Sequence, residues 1–315
     1  MRIAVVGVGG VGGYFGGRLA QAGEDVIFVA RGKTLEALRT RGLLVESVNG
    51  DFVLERVSAT DDPSTVGPVD AVIMATKTWQ VRDAAMHVKP MIGVDTIVVP
   101  LENGMDAPSE IASVVGAAKA LGGLCTLVSF VVEPGHIRHA ASDPIIMFGR
   151  LDREPDPRAE RLREAFVRAG VNAQIPRDIV HSMWSKFLFI APLSGIGAVT
   201  RVPVGIWRAI PETRSMVESA LQELLAVARA QGAGLADEAV ATTMQRYDTL
   251  AADATSSLQR DIAGGKPSEL DAQLGAVVRM GRTAGVPTPV HEFLYHALLP
   301  QERLARGEAG VSAGA

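Results

Sequence analysis

A single cysteine, Cys125, excludes an internal disulfide framework and leaves no thiolate cluster for zinc. The six histidines show neither HExxH nor Cys/His ligand spacing, and His136 and His139 in GHIRH would point to opposite faces of a strand, so no metal site is expected. Strong charge of either sign is missing as well: the formal net charge is −4 and the pI about 5.9. That balance removes the general electrostatic reason to expect a nucleic-acid or anionic-membrane partner. Long apolar runs are also absent. The opening apolar stretch of MRIAVVGVGG ends in glycines after six residues with no small-residue cleavage site behind it. Later candidates are broken by Gly, Pro or charge, short of the roughly 20 residues that a bilayer span needs. A cytoplasmic protein without a membrane anchor is expected.

What is present is a globular balance, 47% hydrophobic and 21% charged, over 315 residues, enough for two ordinary domains. Short β-branched runs at Ile3 to Val6, Val26 to Val29, Val69 to Ala75 and Thr96 to Leu101 alternate with amphipathic stretches, which predicts a parallel, doubly wound sheet. Between the second and third run, LLVESVNGDFVLERV carries an Asn49-Gly50 hairpin signal. A β-rich stretch from Lys119 to Gly149 with a Pro134-Gly135 turn predicts an antiparallel extension of that sheet. REPDPRAERLREAF reads as a charged helix on the outside of the first domain. From Asp178 the pattern becomes helical, punctuated by Pro203, Pro211, Gly232, Gly264-Gly265 and Pro287. The expected division is therefore 1–177 and 178–315, with residues 302–315 frayed. Apolar stripes over Met216 to Ala230 and Leu270 to Ala284 suit core packing or a homodimer face.

Gly7-Val8-Gly9-Gly10-Val11-Gly12 follows the first strand and opens a helical stretch, the context that makes GxGxxG a dinucleotide signature. The first glycine permits a tight turn, the second lets backbone approach a pyrophosphate, and the third lets helix pack on strand. The phosphates then face the positive end of the helix. The fold class is accordingly α/β, an N-terminal Rossmann-type sheet followed by an all-helical domain. At the end of the second strand, where NAD enzymes usually carry an acid, stands Arg31, whose guanidinium suits a 2′-phosphate and predicts NADPH.

Four further motifs stand downstream of the glycine loop. Ala75-Thr76-Lys77-Thr78-Trp79-Gln80 and Leu101-Glu102-Asn103-Gly104-Met105 follow two strands; Trp184-Ser185-Lys186-Phe187 lies near the start of the helical domain; Ser256-Ser257 precedes Asp261 and Glu269. Taken singly, each has an ordinary reading: Lys77 as a surface lysine, Asn103-Gly104 as a turn, Lys186 as a snorkelling lysine, Ser257 as a helix cap, and Glu269 as a first-turn acid. In this order, over most of the chain, the set resembles the ketopantoate reductase family.

The resemblance implies reduction of a small-molecule 2-oxo acid by NADPH, with 2-dehydropantoate giving pantoate in pantothenate biosynthesis as its leading case. It further implies a cleft with Asn103 and Lys77 on one side and Lys186, Ser257 and Glu269 on the other. Lys77 would lie beside the cofactor, and Asn103 would contact cofactor and substrate. Lys186 would be the catalytic acid, and Ser257 would bind the substrate carboxylate. Glu269 would bind the substrate hydroxyl and orient the site, itself both a catalytic and a cofactor-binding residue. Asparagines of the family four and eight residues after the lysine are here Ile190 and Ser194, with Ser194 kept as a substrate contact. A third, in a Pro-Asn-Gly, is Val204. Two other readings stay open: a 3-hydroxy-acid or polyol dehydrogenase of related architecture, and an NADPH-binding redox sensor without turnover.

Overall fold

The computed structural model describes residues 1–308. They form two compact units, Met1–Glu102 with Asp106–Ser182, and Asn103–Met105 with the chain from Met183 onward. The division runs through a helix after Ser182, where 177/178 was expected, and the three-residue segment Asn103–Met105 groups with the second unit.

Unit 1 opens with β1 (Arg2–Val6), α1 (Gly10–Gln21), β2 (Asp25–Val29), α2 (Gly32–Arg41), β3 (Leu43–Ser47), β4 (Phe52–Leu54), β5 (Ser58–Thr60) and β6 (Val69–Met74). It continues with α3 (Val81–His87), β7 (Ile92–Pro100), α4 (Ala107–Val115), β8 (Gly122–Glu133), β9 (His136–Gly149), α5 (Pro157–Arg168) and β10 (Asn172–Gln174). Five strands pair in parallel in the order β5-β2-β1-β6-β7. Their side chains alternate between two cores because successive residues of a strand point to opposite faces. Ile3 and Val5 join Phe15 and Leu19 of α1 and Phe166 of α5 on one face. Ala4 and Val6 join Val81 and Ala85 of α3 and Ile111 of α4 on the other. Helices on both faces explain why the buried stretches of β1, β2, β6 and β7 are apolar on both sides.

The β-rich stretch does not extend the parallel sheet. β8 and β9 pair antiparallel around Pro134-Gly135, and β9 belongs to a second, mixed sheet in the order β10-β9-β3-β4. The Asn49-Gly50 hairpin, β3 with β4, pairs with β9 through β3, in parallel. Among the described residues, the isolated bridge Val98–Ala120 joins a strand of the parallel sheet to the chain leading into β8. The close passage there is permitted by Gly123, where a Cβ would lie 2.2 Å from the carbonyl oxygen of Pro100. The turn residues were legible; the partner of each hairpin was not, because register between distant strands leaves no local mark.

Unit 2 has no strand among the described residues. It contains α6 (Ile179–Thr200, from Met183 on), α7 (Val204–Trp207), α8 (Pro211–Ala230), α9 (Ala239–Thr249), α10 (Ser257–Ala263), α11 (Ala276–Ala284) and α12 (Pro289–Ala305). A π-helical turn, Asp271–Gly275, precedes α11. The apolar stripes of α8 and α11 are buried within the protein, Leu221, Leu224 and Val277 completely. α6 is long and apolar enough to cross a bilayer, contrary to the expectation of no such run, because Pro192 and two glycines interrupt the sequence pattern without ending the helix. Of its apolar window, 67% is buried in the protein. Glu302 to Ala305, expected to fray, are helical with Glu302 buried, while 309–315 lie outside the described residues.

Gly123→Ala is expected to destabilise unit 1 by about 1–3 kcal/mol, the usual range for overpacking a filled site, since backbone cannot move aside like a side chain. Thermal denaturation checks this; an unchanged melting temperature would show that β8 moves freely away from Pro100.

Candidate active site

The first turn of the parallel sheet is set by missing side chains. Gly7 adopts φ +89°, and a Cβ there would lie 2.6 Å from the Ala75 carbonyl oxygen. At Gly12 a Cβ would stand 2.0 Å from the Gly7 carbonyl oxygen, so α1 touches its own turn. Around Gly9, by contrast, the Cβ direction is open to 4 Å, and no side chain caps α1. The first-turn amides of α1 therefore face space that a backbone-hugging anion fits. Val8 and Val11 fasten the loop, packing at the core of unit 1. Ser129 was missed in the sequence: its Oγ donates to the Gly10 carbonyl oxygen at 2.9 Å, and its own carbonyl comes within 2.6 Å of a Cβ on Gly10.

Neighbouring strand ends are stitched together beside this loop. Gly7 N–H donates to the Val29 carbonyl, Ala75 N–H to that of Val6, and Leu101 N–H to that of Met74, at 3.2, 2.8 and 2.9 Å. Glu102, buried and given no role by sequence reasoning, completes the seam. Its Oε1 accepts from Thr76 N–H at 2.9 Å and from Thr76 Oγ1 at 3.0 Å. Its Oε2 accepts from Leu101 N–H at 3.1 Å. A single carboxylate thus joins the loop carrying Lys77 to the loop leading to Asn103. The available signal was an acid set directly after a buried strand end. Lys77 Nζ lies 5.9 Å from the Trp79 ring centroid, within cation–π range. Arg31 sits exposed at the start of α2, past the carboxyl end of β2, in no hydrogen bond or ion pair with a described residue. Glu24 and Asp25 are at the opposite end of that strand.

Unit 2 brings together two of the candidate residues. Asn103 Nδ2 donates to Glu269 Oε2 at 3.1 Å. Gly104 makes the approach possible, with φ +108° and a notional Cβ 2.9 Å from the carbonyl of Ala272 in the π turn. Glu269 is only 7% exposed and stands at the entrance to that turn, accepting Gln273 N–H at its carbonyl. Lys186 is half-buried on α6, with no hydrogen bond or ion pair to any described residue. An ammonium so placed is costly unless it reaches water or meets an anionic ligand. One turn on, the Phe189 carbonyl accepts from Tyr247 Oη at 2.6 Å; burial pushes that phenol far up, so it stays a donor.

The cap of α10 proves to be Ser256, whose Oγ accepts Gln259 N–H at 3.0 Å, and this leaves Ser257 exposed without a hydrogen-bond partner among the described residues. No hydrogen bond joins Lys186 or Ser257 to Asn103 or Glu269. Ile190 is half-buried, while Ser194 and Val204 are buried, Ser194 with its hydroxyl unpartnered among the described residues. Gly205 keeps a close contact, a notional Cβ 2.7 Å from the Ala252 carbonyl, although the residue before it is apolar.

These features define a two-part oxidoreductase, a dinucleotide-binding sheet followed by a helical unit with an unpaired lysine. Residues 3–153 match the family described as ketopantoate reductase PanE/ApbA, and residues 178–302 match the C-terminal part of the same family. The chain belongs to the ketopantoate reductase family, whose reaction is the reduction of 2-oxo acids. It is 30% identical over 301 residues to a 2-dehydropantoate 2-reductase of Nostoc sp. (strain PCC 7120), covering 94% of each chain. A crystal structure of 2-dehydropantoate 2-reductase from Geobacter metallireducens GS-15 matches with a TM-score of 0.89 at 31% identity, covering 95% of this chain and 99% of that one. A D-mandelate dehydrogenase solved with NADH and anilino(oxo)acetate shares the fold, with a TM-score of 0.88 at 22% identity over 97% of this chain and all of the other, 100%.

The two glycine environments give separable expectations. Gly9→Ala should leave the melting temperature unchanged and weaken dinucleotide binding, whereas Gly12→Ala should lower the melting temperature first. Thermal denaturation beside fluorescence titration checks both; a Gly9→Ala protein that binds as the parent does would show that the open space is not the phosphate site.

Proposed function

We propose that this chain reduces a 2-oxo acid to the 2-hydroxy acid with NADPH, and that 2-dehydropantoate, giving pantoate for pantothenate biosynthesis, is its substrate. The observation that carries the reading is Lys186, a half-buried ammonium on α6 without an acid partner, in a chain whose two halves both match the family. The residues present fit the dinucleotide: amides of Gly9 to Gly12 for the pyrophosphate, Lys77 beside it, and Arg31 for the 2′-phosphate. NADPH, when bound, supplies the hydride.

Lys186 balances the charge that reduction places on the carbonyl oxygen and delivers the proton that makes it a hydroxyl. Its ammonium needs no competing carboxylate for this, since a tight ion pair would hold the proton back. Glu269, steadied by Asn103, accepts from the substrate hydroxyl. Ser257, released from capping by Ser256, offers its hydroxyl to the substrate carboxylate. With Ile190, Ser194 and Val204 in place of family asparagines, selectivity among 2-oxo acids falls more heavily on Glu269 and Asn103. A site that has lost hydrogen bonds to a hydroxyl discriminates less against substrates lacking it.

Arg31→Asp should weaken NADPH binding far more than NADH binding, because a carboxylate repels the 2′-phosphate and accepts from a 2′-hydroxyl. Equal losses in fluorescence titrations would remove Arg31 from the cofactor site. Lys186→Ala should lower single-turnover hydride transfer by on the order of 10²–10⁴-fold, with circular dichroism and NADPH affinity near the parent's. The assay is NADPH oxidation against a panel of 2-oxo acids that includes 2-dehydropantoate. A rate that survives the substitution would make Lys186 a snorkelling residue; tight NADPH binding with no turnover by the parent would favour the redox sensor.

A further inference from the structure

The last helix brings into unit 2 a carboxylate that none of the motifs includes. Glu302 on α12 is 4% exposed. Both of its oxygens lie 3.0 Å from the N–H of Ser268, and Oε2 also accepts the Ser268 hydroxyl at 2.5 Å. Oε1 accepts from Arg306 Nε at 2.7 Å, and Arg306 Nη2 turns back to donate to the Ser268 carbonyl at 3.0 Å. Ser268 is fully buried and is therefore held at its N–H, its hydroxyl and its carbonyl by one ion pair. Its hydroxyl oxygen in turn accepts the N–H of Leu270 at 3.3 Å. The residue between these two fixed points is Glu269.

Helix α12 could be tied down by apolar packing alone, and replacing a buried ion pair by well-packed apolar side chains is often neutral or stabilising. What packing does not supply is directional hold on both peptide groups of one residue. From this geometry we infer that Glu302 and Arg306 are positioning residues, which set the direction in which Glu269 presents its carboxylate to Asn103 and to substrate. The inference rests on the reading of Glu269 as the substrate-facing acid. Glu302 acts through Ser268, which it bonds directly.

The test is a double-mutant cycle of Glu302→Gln and Glu269→Gln, read as kcat/KM for the best 2-oxo acid, with NADPH affinity alongside. Glu302→Gln alone should lower kcat/KM by about tenfold, the scale on which small misplacements of a reacting geometry act. NADPH affinity should stay within about twofold, and in the Glu269→Gln background the same change should add less than about twofold, because the two act as one unit. Equal factors in both backgrounds would overturn the inference and leave Glu302 as a structural tie. Should Glu302→Gln fail to fold, Ser268→Ala, which removes one hydroxyl, carries the same cycle. Carbon-13 NMR titration of the Glu269 carboxyl separates this inference from the proposed activity. A shifted titration in Ser268→Ala, which removes the link without altering any charge, supports the inference even if no 2-oxo acid is turned over, and an unshifted one overturns it even in an active enzyme.

Discussion

The contact on which the nucleotide-binding half depends is between two residues without side chains. With a methyl group on residue 12 only 2.0 Å from the Gly7 carbonyl oxygen, α1 could not begin where it does. Displacing α1 would carry away its first-turn amides and also the faces that Phe15 and Leu19 bury against β1. The strand-end hydrogen bonds from Gly7, Ala75 and Leu101 assume that same turn. Packing and the presentation of these amides are thus not separate achievements of the sequence here. Both follow from helix and strand being allowed to touch.

Buried carboxylates do the corresponding work at loops that no glycine can fix. Glu102 binds peptide N–H groups on both sides of its seam. Glu302 does so at Ser268. Glu223 does so at the start of α12, accepting from the N–H groups of Val290 and His291 and facing His291 Nδ1 at 2.8 Å. Each is a carboxyl group mostly withdrawn from water whose oxygens accept from backbone donors that a helix or strand end leaves over. A hydrogen bond to a charged group contributes more than a neutral one, and leaving such a group unmatched inside would be expensive. These three carboxylates are therefore used for backbone geometry, while Lys186 has no acid partner among the described residues.

How much of this could be read beforehand follows from the range of each signal. The glycine loop, four of the five strands of the parallel sheet, the helical second half and both hairpin turns are local patterns, and the structure has them; the fifth strand, β5, is Ser-Ala-Thr and carries no apolar run to announce it. β7 starts at Ile92, four residues before the apolar run that announced it at Thr96, because Gly93 and Asp95 interrupt the apolar pattern and Val94 and Asp95 lie in solvent. The second sheet escaped because β3 and β9 are far apart in the chain. Ser256 and Ser257 could not be told apart as cap and free hydroxyl, since helix starts are uncertain by a residue. Glu302 was hidden in a stretch whose glycines, alanines and charges resemble a frayed tail. Its partner Ser268 lies 34 positions earlier.

The same separation between β3 and β9 bears on how unit 1 comes apart. Ser47 meets His139 across 92 residues, and the stretch between them contains β5, β6 and β7 of the parallel sheet. The two sheets are therefore interleaved along the chain, neither being a contiguous insert in the other. Long-range pairings of this kind are slow to form, because the closing of a long loop precedes the contacts that reward it. Once formed, they link the fates of the sheets. A chain that loses β9 also frees β3, and with it the connection from α2 to β5. Unit 1 should consequently unfold as a single cooperative body, and its nucleotide-binding sheet is not a cassette that can be lifted out alone.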